Sequence, residues 1–206
     1  MPLSGPEIIK QVSLKRINID PFHVERVNPA SVDVTLGSEV AVYTDFVWLD
    51  VEPEHMTRQG RPYDGTHMRP QSERIFDTKK PAEIRKFKID SGAGWVIYPG
   101  IGYLMHTAER IETDFYVPVL DGKSSIGRVF VKVHETAGYG DPGFDGQYTL
   151  EVTTTMFPVR LYAGMKIGQI RFHSLDGEPL SYQQTGRYKG EAALGAVGSK
   201  IHESFR

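Results

Sequence analysis

Three groups of residues in this chain have the types and spacing to do chemistry. The densest is Asp121-Gly-Lys-Ser-Ser-Ile-Gly-Arg128. Its two hydroxyls, lysine, arginine and glycine backbone are the donors that hold phosphates. If the segment makes one helical turn, Ser124 and Arg128 at i and i+4 share a face. It is not a P-loop, because Val117 stands where that motif needs its first glycine. A plain polar connection between two strands accounts for Gly122-Lys-Ser-Ser125 equally well. The second group is Asp141-Pro-Gly, inside the turn-rich run His134 to Gly146, which good turn chemistry also explains. The third is Glu151, on a stretch where Tyr148, Leu150 and Val152 alternate with Gln147, Thr149, Glu151 and Thr153. Such a glutamate can transfer protons, but periodicity alone favours a solvated outer face for it.

These residues need strands to position them, and the pattern supplies strands. From Ser31 the chain alternates, with Val32, Val34 and Leu36 on one side, Asp33 and Thr35 on the other, and a turn at Gly37. Short runs of the same kind follow at 95–98, 102–107, 129–134, 147–153, 159–162 and 167–172. Their close punctuation by turn residues predicts a sandwich or barrel. Pro6 followed by Glu7, Ile8, Ile9 and Val12 predicts a short helix. The segment from about 50 to 86 is polar and rich in proline and glycine, which reads as a flap or insertion. From about 186 to 206 a glycine- and alanine-rich tail is expected to stay mobile until something orders it.

The 206 residues, 39% hydrophobic and 24% charged, fit one soluble domain. A formal net charge of −2 gives no overall field for a nucleic-acid backbone or an anionic membrane, so a polyanion must be held locally. There is no cysteine, which removes disulfides, thiol nucleophiles and cysteine-ligated zinc. No stretch reads as a signal peptide or a membrane span, and the cytoplasm is the expected compartment.

Together these pieces resemble the dCTP deaminase family and its bifunctional dCTP deaminase-dUTPase relatives. The resemblance rests on an ordered set: Asn28-Pro-Ala-Ser-Val-Asp-Val-Thr-Leu-Gly37, Tyr98-Pro-Gly, Thr107-Ala-Glu109, Gly122-Lys-Ser-Ser-Ile-Gly-Arg128, His134-Glu-Thr-Ala-Gly138, Asp141-Pro-Gly-Phe-Asp-Gly146, Thr149-Leu-Glu151 and Gly164-Met-Lys-Ile-Gly-Gln-Ile170. It covers about 28–43 and 95–173. It implies a mainly β fold, a distorted dUTPase-like barrel with a short N-terminal helix. It also implies a homotrimer with sites at subunit interfaces and a C-terminal lid. The implied reaction is hydrolytic deamination at C4 of the dCTP cytosine without zinc, whereas zinc deaminases need cysteines beside the metal.

The resemblance assigns the proton shuttle to Glu151, and to Ser124 and Arg128 the positioning of water and support of the tetrahedral centre. Lys123, Ser125 and Gln169 would contact the triphosphate, whose magnesium is bound through phosphate oxygens and water. Asp141 would take the sugar 3′-hydroxyl, and Tyr182 and Lys189 would close with the tail. His134 and Ala137 lie where the family responds to dTTP, although a satisfied strand histidine is an equal reading of His134. The chain departs from the family in three places. Lys123 stands where arginine is usual, losing the bidentate fork. Gly140 stands where a branched apolar residue precedes the aspartate, which predicts a looser turn. The tail has Ala193 or Glu191 where a glutamine is expected, depending on whether Lys189 or Arg187 is the basic partner. A dUTPase and a non-catalytic nucleotide-binding relative are the competing functions; the first does not need Glu151, and the second does not need Ser124, Arg128 and Glu151 together.

Overall fold

The computed structural model describes residues 1–44, 47–49, 68–70 and 75–205. Most of the expected 50–86 flap lies outside them. The chain opens with α1 (Gly5–Ser13), where Ser4 accepts a capping hydrogen bond from the Glu7 N–H and Pro6 occupies the first turn, as helix starts favour. Then come β1 (Asn18–Asp20), β2 (Val27–Asn28), β3 (Ser31–Thr35), β4 (Glu39–Tyr43), β5 (Val47–Leu49), β6 (Met68–Pro70), β7 (Ile84–Lys88) and β8 (Trp95–Ile97). The site-bearing half follows: β9 (Tyr103–Glu112), β10 (Tyr116–Gly122), α2 (Ser124–Gly127), β11 (Val131–Lys132), β12 (Asp145–Thr154), β13 (Val159–Leu161), β14 (Lys166–Ser174) and α3 (Tyr182–Thr185).

Two sheets carry the fold. One runs β11-β12-β9-β4-β7, with β1 also paired to β9; the other runs β10-β14-β3-β2. All the pairings in both are antiparallel. Alternation buries one side of each strand in a shared core, with Val40, Met105, Leu150 and Val152 from the first sheet and Val34, Ile167, Ile170 and Phe172 from the second. Each such side chain contributes roughly 1.5–3 kcal/mol on removal from water. Among the described residues no helix is long and apolar enough to cross a membrane.

The sheets are also joined by a buried carboxylate. Glu109 on β9, 1% exposed, accepts hydrogen bonds from the Thr35 N–H (2.9 Å) and hydroxyl (2.6 Å) and from Arg26 (2.7 Å). A buried carboxylate is tolerable only when its oxygens are matched in this way.

Alternation misplaces the other side of β3. All five residues of β3 are buried, because Asp33 and Thr35 face charged partners rather than water. The expected strand at 129–134 shrinks to Val131–Lys132, since the turn leaving α2 continues through Phe130. The apolar run at 116–120, whose strand character is hidden by Pro118, is β10.

One close approach tests this packing. Gly37 donates its N–H to the His106 carbonyl at 2.8 Å, and a Cβ at 37 would overlap the His106 ring, itself 5% exposed. Gly37→Ala should therefore lower unfolding free energy by about 1–3 kcal/mol, read as a lower urea midpoint at constant m. An unchanged midpoint would contradict this packing.

Candidate active site

Glu151 lies on β12 opposite Leu104 of β9. Its side is not a solvated outer face: Glu151 is half-buried and lines a cavity of about 570 Å³. Its carboxylate accepts the Glu135 backbone N–H at 3.3 Å. The Glu135 side chain turns away to accept from the Thr153 hydroxyl at 2.8 Å and to meet Lys132 at 3.4 Å. Those two partners, Thr153 first, hold the Glu135 carboxyl below its ordinary pKa. A second negative charge, on a residue that lines the same cavity, is thus anchored beside Glu151.

Asp141, Ala137 and Tyr182 line the same cavity, so residues far apart in sequence converge there. Asp141 begins a turn in which the Phe144 N–H donates to the Asp141 carbonyl at 3.1 Å. Pro142 and Gly143 (φ +82°) occupy its centre, as a type II turn requires. The tail docks on this turn: Tyr182 donates its N–H to Pro142 at 2.8 Å, and the Gln183 amide donates to Gly143 at 2.8 Å. Beyond it, the backbone N–H groups of Gly195, Ala196 and Ser199 donate to Gln147 (2.9 Å), Glu39 (3.2 Å) and Tyr43 (2.8 Å). Burial raises the Tyr43 pKa, and burial, then Asp141 and Tyr182, raises that of Tyr148. Both phenols stay protonated near neutrality.

The phosphate-type segment lies elsewhere on the surface. α2 is the single turn expected, with Lys123 at its N-cap and the Arg128 N–H donating to the Ser124 carbonyl at 3.0 Å. Ser124, Ser125 and Arg128 are exposed and do not line the cavity. Gln169 joins this segment, accepting from Ser31 at 2.9 Å and donating to the Gly122 carbonyl at 3.2 Å. Lys189 is also outside the cavity, donating to the Gln183 carbonyl at 2.6 Å. His134 is absent from the lining; its Nε2 is 3.9 Å from Asp121, and its buried Nδ1 has no hydrogen-bond partner among the described residues.

Sequence reasoning missed Asp33. It is 3% exposed and meets Lys123 (2.6 Å), Lys166 (2.9 Å) and Asn28 (2.8 Å). Burial opposes its ionisation, but hydrogen bonds from Lys123, Lys166 and Asn28 prevail and hold its carboxyl below the ordinary pKa. A lone acidic residue among the apolar positions of 31–36 was the available signal. Asp33 fixes Lys123 at the mouth of α2, and its two lysines leave one positive charge in excess there.

A family model described as "dCTP deaminase-like" matches residues 2–175. A Leptospira biflexa protein named "dCTP deaminase, dUMP-forming" is 35% identical over 205 residues, covering 100% of this chain and 98% of its own. A Clostridium acetobutylicum protein of the same name is 36% identical over 194 residues, covering 94% of each. The solved 2′-deoxycytidine 5′-triphosphate deaminase from Agrobacterium tumefaciens aligns with TM-score 0.54 at 19% identity. That match covers 84% of this chain but spans only about half, 48%, of the other, and it supports the fold alone.

The Asp33 cluster predicts an acid dependence of stability. Because its folded-state pKa is depressed, its contribution is present above the unfolded-chain value of about 3.9 and is lost as pH falls through the folded value. Asp33→Asn should be less stable than wild type at neutral pH, and the two should converge at strongly acidic pH in thermal melts. A constant difference across the range would contradict the assignment.

Proposed function

The chain belongs to the dCTP deaminase-like family, and from that premise we propose that it hydrolyses dCTP to dUMP, releasing ammonia and diphosphate. The observation that carries the proposal is the convergence of Glu151 and Asp141 on one cavity. In the balanced reaction, one water replaces the C4 amine and a second cleaves the bond that releases diphosphate. The name carried by the relatives in Leptospira and Clostridium supports dUMP, rather than dUTP, as the released product.

Glu151 takes a proton from the water attacking C4 and passes it to N3, then takes the second proton from the resulting C4 hydroxyl and delivers it to the amine, which leaves as ammonia while the C4 carbonyl forms. A positioned carboxylate of this kind contributes about 10²–10⁴-fold. Its anchor on the Glu135 N–H sets where the carboxylate sits before substrate arrives. Ser124 orients the attacking water, and Arg128 stabilises charge at the tetrahedral carbon. Asp141 receives the sugar 3′-hydroxyl and orients the second water toward the phosphate chain.

Ser124 and Arg128 stand outside the cavity on an exposed turn. A homotrimer of closed, distorted barrels, in which a neighbouring copy presents that turn to Glu151, accounts for this separation. Lys123, Ser125 and Gln169 then bind the triphosphate, and Tyr182 and Lys189 act from the closing tail. The excess positive charge around Asp33 suits a polyanion. Magnesium would neutralise charge on the phosphates, held by their oxygens and water; no cysteine exists to build a zinc-deaminase site. His134, with its orphaned Nδ1, and Ala137, at the cavity wall, form the region through which dTTP would inhibit. The enzyme acts on free nucleotides in the cytoplasm.

Glu151→Gln separates binding from chemistry. Phosphate and sugar contacts remain, so calorimetry should give a dCTP Kd within a few-fold of wild type. Ammonia release should fall by at least about 10². Turnover at the wild-type rate would remove Glu151 from the mechanism.

A further inference from the structure

The Asp141 turn rests on a side chain that the mechanism above does not use. The register of β12 against β9 shifts by two residues between Gln147 and Thr149, so that Thr107, Ala108 and Glu109 of β9 lie opposite the single residue Tyr148 of β12. Its N–H donates to the Thr107 hydroxyl at 2.9 Å instead of to a strand partner. Bulges occur beside functional sites. Tyr148, on the same side of β12 as Leu150 and Val152, packs against the core and also lines the cavity.

The tip of Tyr148 reaches Gly140. A Cβ at position 140 would overlap the Tyr148 hydroxyl oxygen and lie 3.0 Å from its Cε1. Gly140 is not among the residues with positive φ, so space, not backbone conformation, requires glycine there. The turn is therefore not loosened by its glycine: a ring from β12 fills the volume that the missing side chain would fill. The segment is further pinned to β10, with the Gly140 N–H donating to Pro118 at 2.8 Å and the Leu120 N–H to Gly138 at 2.7 Å.

The same ring supports the tail. Tyr148 meets Phe144 at 4.9 Å between centroids and 62°, and Phe144 meets Tyr182 at 5.5 Å and 78°, edge-to-face geometries that aromatic pairs favour. The Tyr148 hydroxyl is buried with no hydrogen-bond partner among the described residues. A hydroxyl left in that state opposes folding, so the ring, not a hydroxyl contact, is what Tyr148 supplies.

We propose that Tyr148 is a positioning residue for the sugar end of the site, placing Asp141 through Gly140 and the tail tyrosine Tyr182 through Phe144. The proposal rests on the assignment of the 3′-hydroxyl to Asp141. It makes positions 140 and 148 a coupled pair, one large residue shared between two places.

The test is kcat and KM for dCTP and for 2′,3′-dideoxycytidine triphosphate in wild type, Tyr148→Phe, Tyr148→Val, Gly140→Ile and the double variant Gly140→Ile/Tyr148→Val. Tyr148→Phe should stay within about threefold of wild type, because the ring is kept. Tyr148→Val and Gly140→Ile should each lose roughly tenfold or more in kcat/KM for dCTP, mainly through KM, and lose less on the dideoxy substrate, which has no 3′-hydroxyl to misplace. The double variant should recover most of the loss, since isoleucine then fills the space that valine vacates. Equal losses on both substrates, wild-type kinetics in Tyr148→Val, or a double variant no better than the worse single variant would overturn this proposal alone. Wild-type protein that neither binds nor converts dCTP would overturn it together with the function it rests on.

Discussion

The pairing of β9 with β12, and the bulge of two extra β9 residues within it, is the constraint on which the site depends. Below the bulge, Thr149 to Val152 pair in register with His106 to Tyr103; above it, Asp145 to Gln147 pair with Glu112 to Arg110. A slip of one residue would exchange every side chain between faces, sending Glu151 into the core and Leu150 into the cavity. The pairing is locked from both sides. Leu150 and Val152 are fully buried, while Thr107, within the bulge, donates its hydroxyl to the Glu109 carbonyl and accepts the Tyr148 N–H. Glu109 then ties the same strand to β3. Glu151, the bulge and the inter-sheet carboxylate Glu109 thus share one pair of strands.

The polar machinery divides into two surfaces with different physics. Around Glu151 and Asp141 the walls are aromatic and the carboxylates are set by backbone N–H groups and turn geometry, which suits a base and a sugar. Around α2 the groups are cationic and hydroxylic, exposed except for Lys123, and balanced by the buried Asp33, which suits phosphates. A lysine lacks the bidentate fork of an arginine. Its ion pair with Asp33 restores a fixed direction to an otherwise flexible side chain. The tail spans the first of these surfaces, held through Gln147, Glu39 and Tyr43.

Much of this was legible in the sequence because it depends on local rules. Period-two alternation located β3, β9, β12 and β14, proline placed α1, and Asp141-Pro-Gly-Phe144 announced its own turn. What depended on long-range partners was not legible. Asp33 looked like an outward residue because its lysines lie about 90 and 130 positions away in the chain. Glu151 looked solvated because the segments that wall its cavity, 135–141 and 188–199, bear no periodic signal. Gly140 read as slack in a turn, since nothing near it in sequence reveals that Tyr148 fills the gap. β4 and β7 pair with each other across a segment whose composition masks both.

If one protein removes both the amine and the diphosphate from dCTP, the two losses appear together in a single reaction. The direct measurement is a time course of purified protein with dCTP and magnesium, resolving dCTP, dUTP, dUMP and diphosphate by ion-exchange chromatography. The expected result is dUMP, diphosphate and ammonia rising in equal amounts with little free dUTP. Accumulation of dUTP without diphosphate, or failure to consume dCTP, would contradict it.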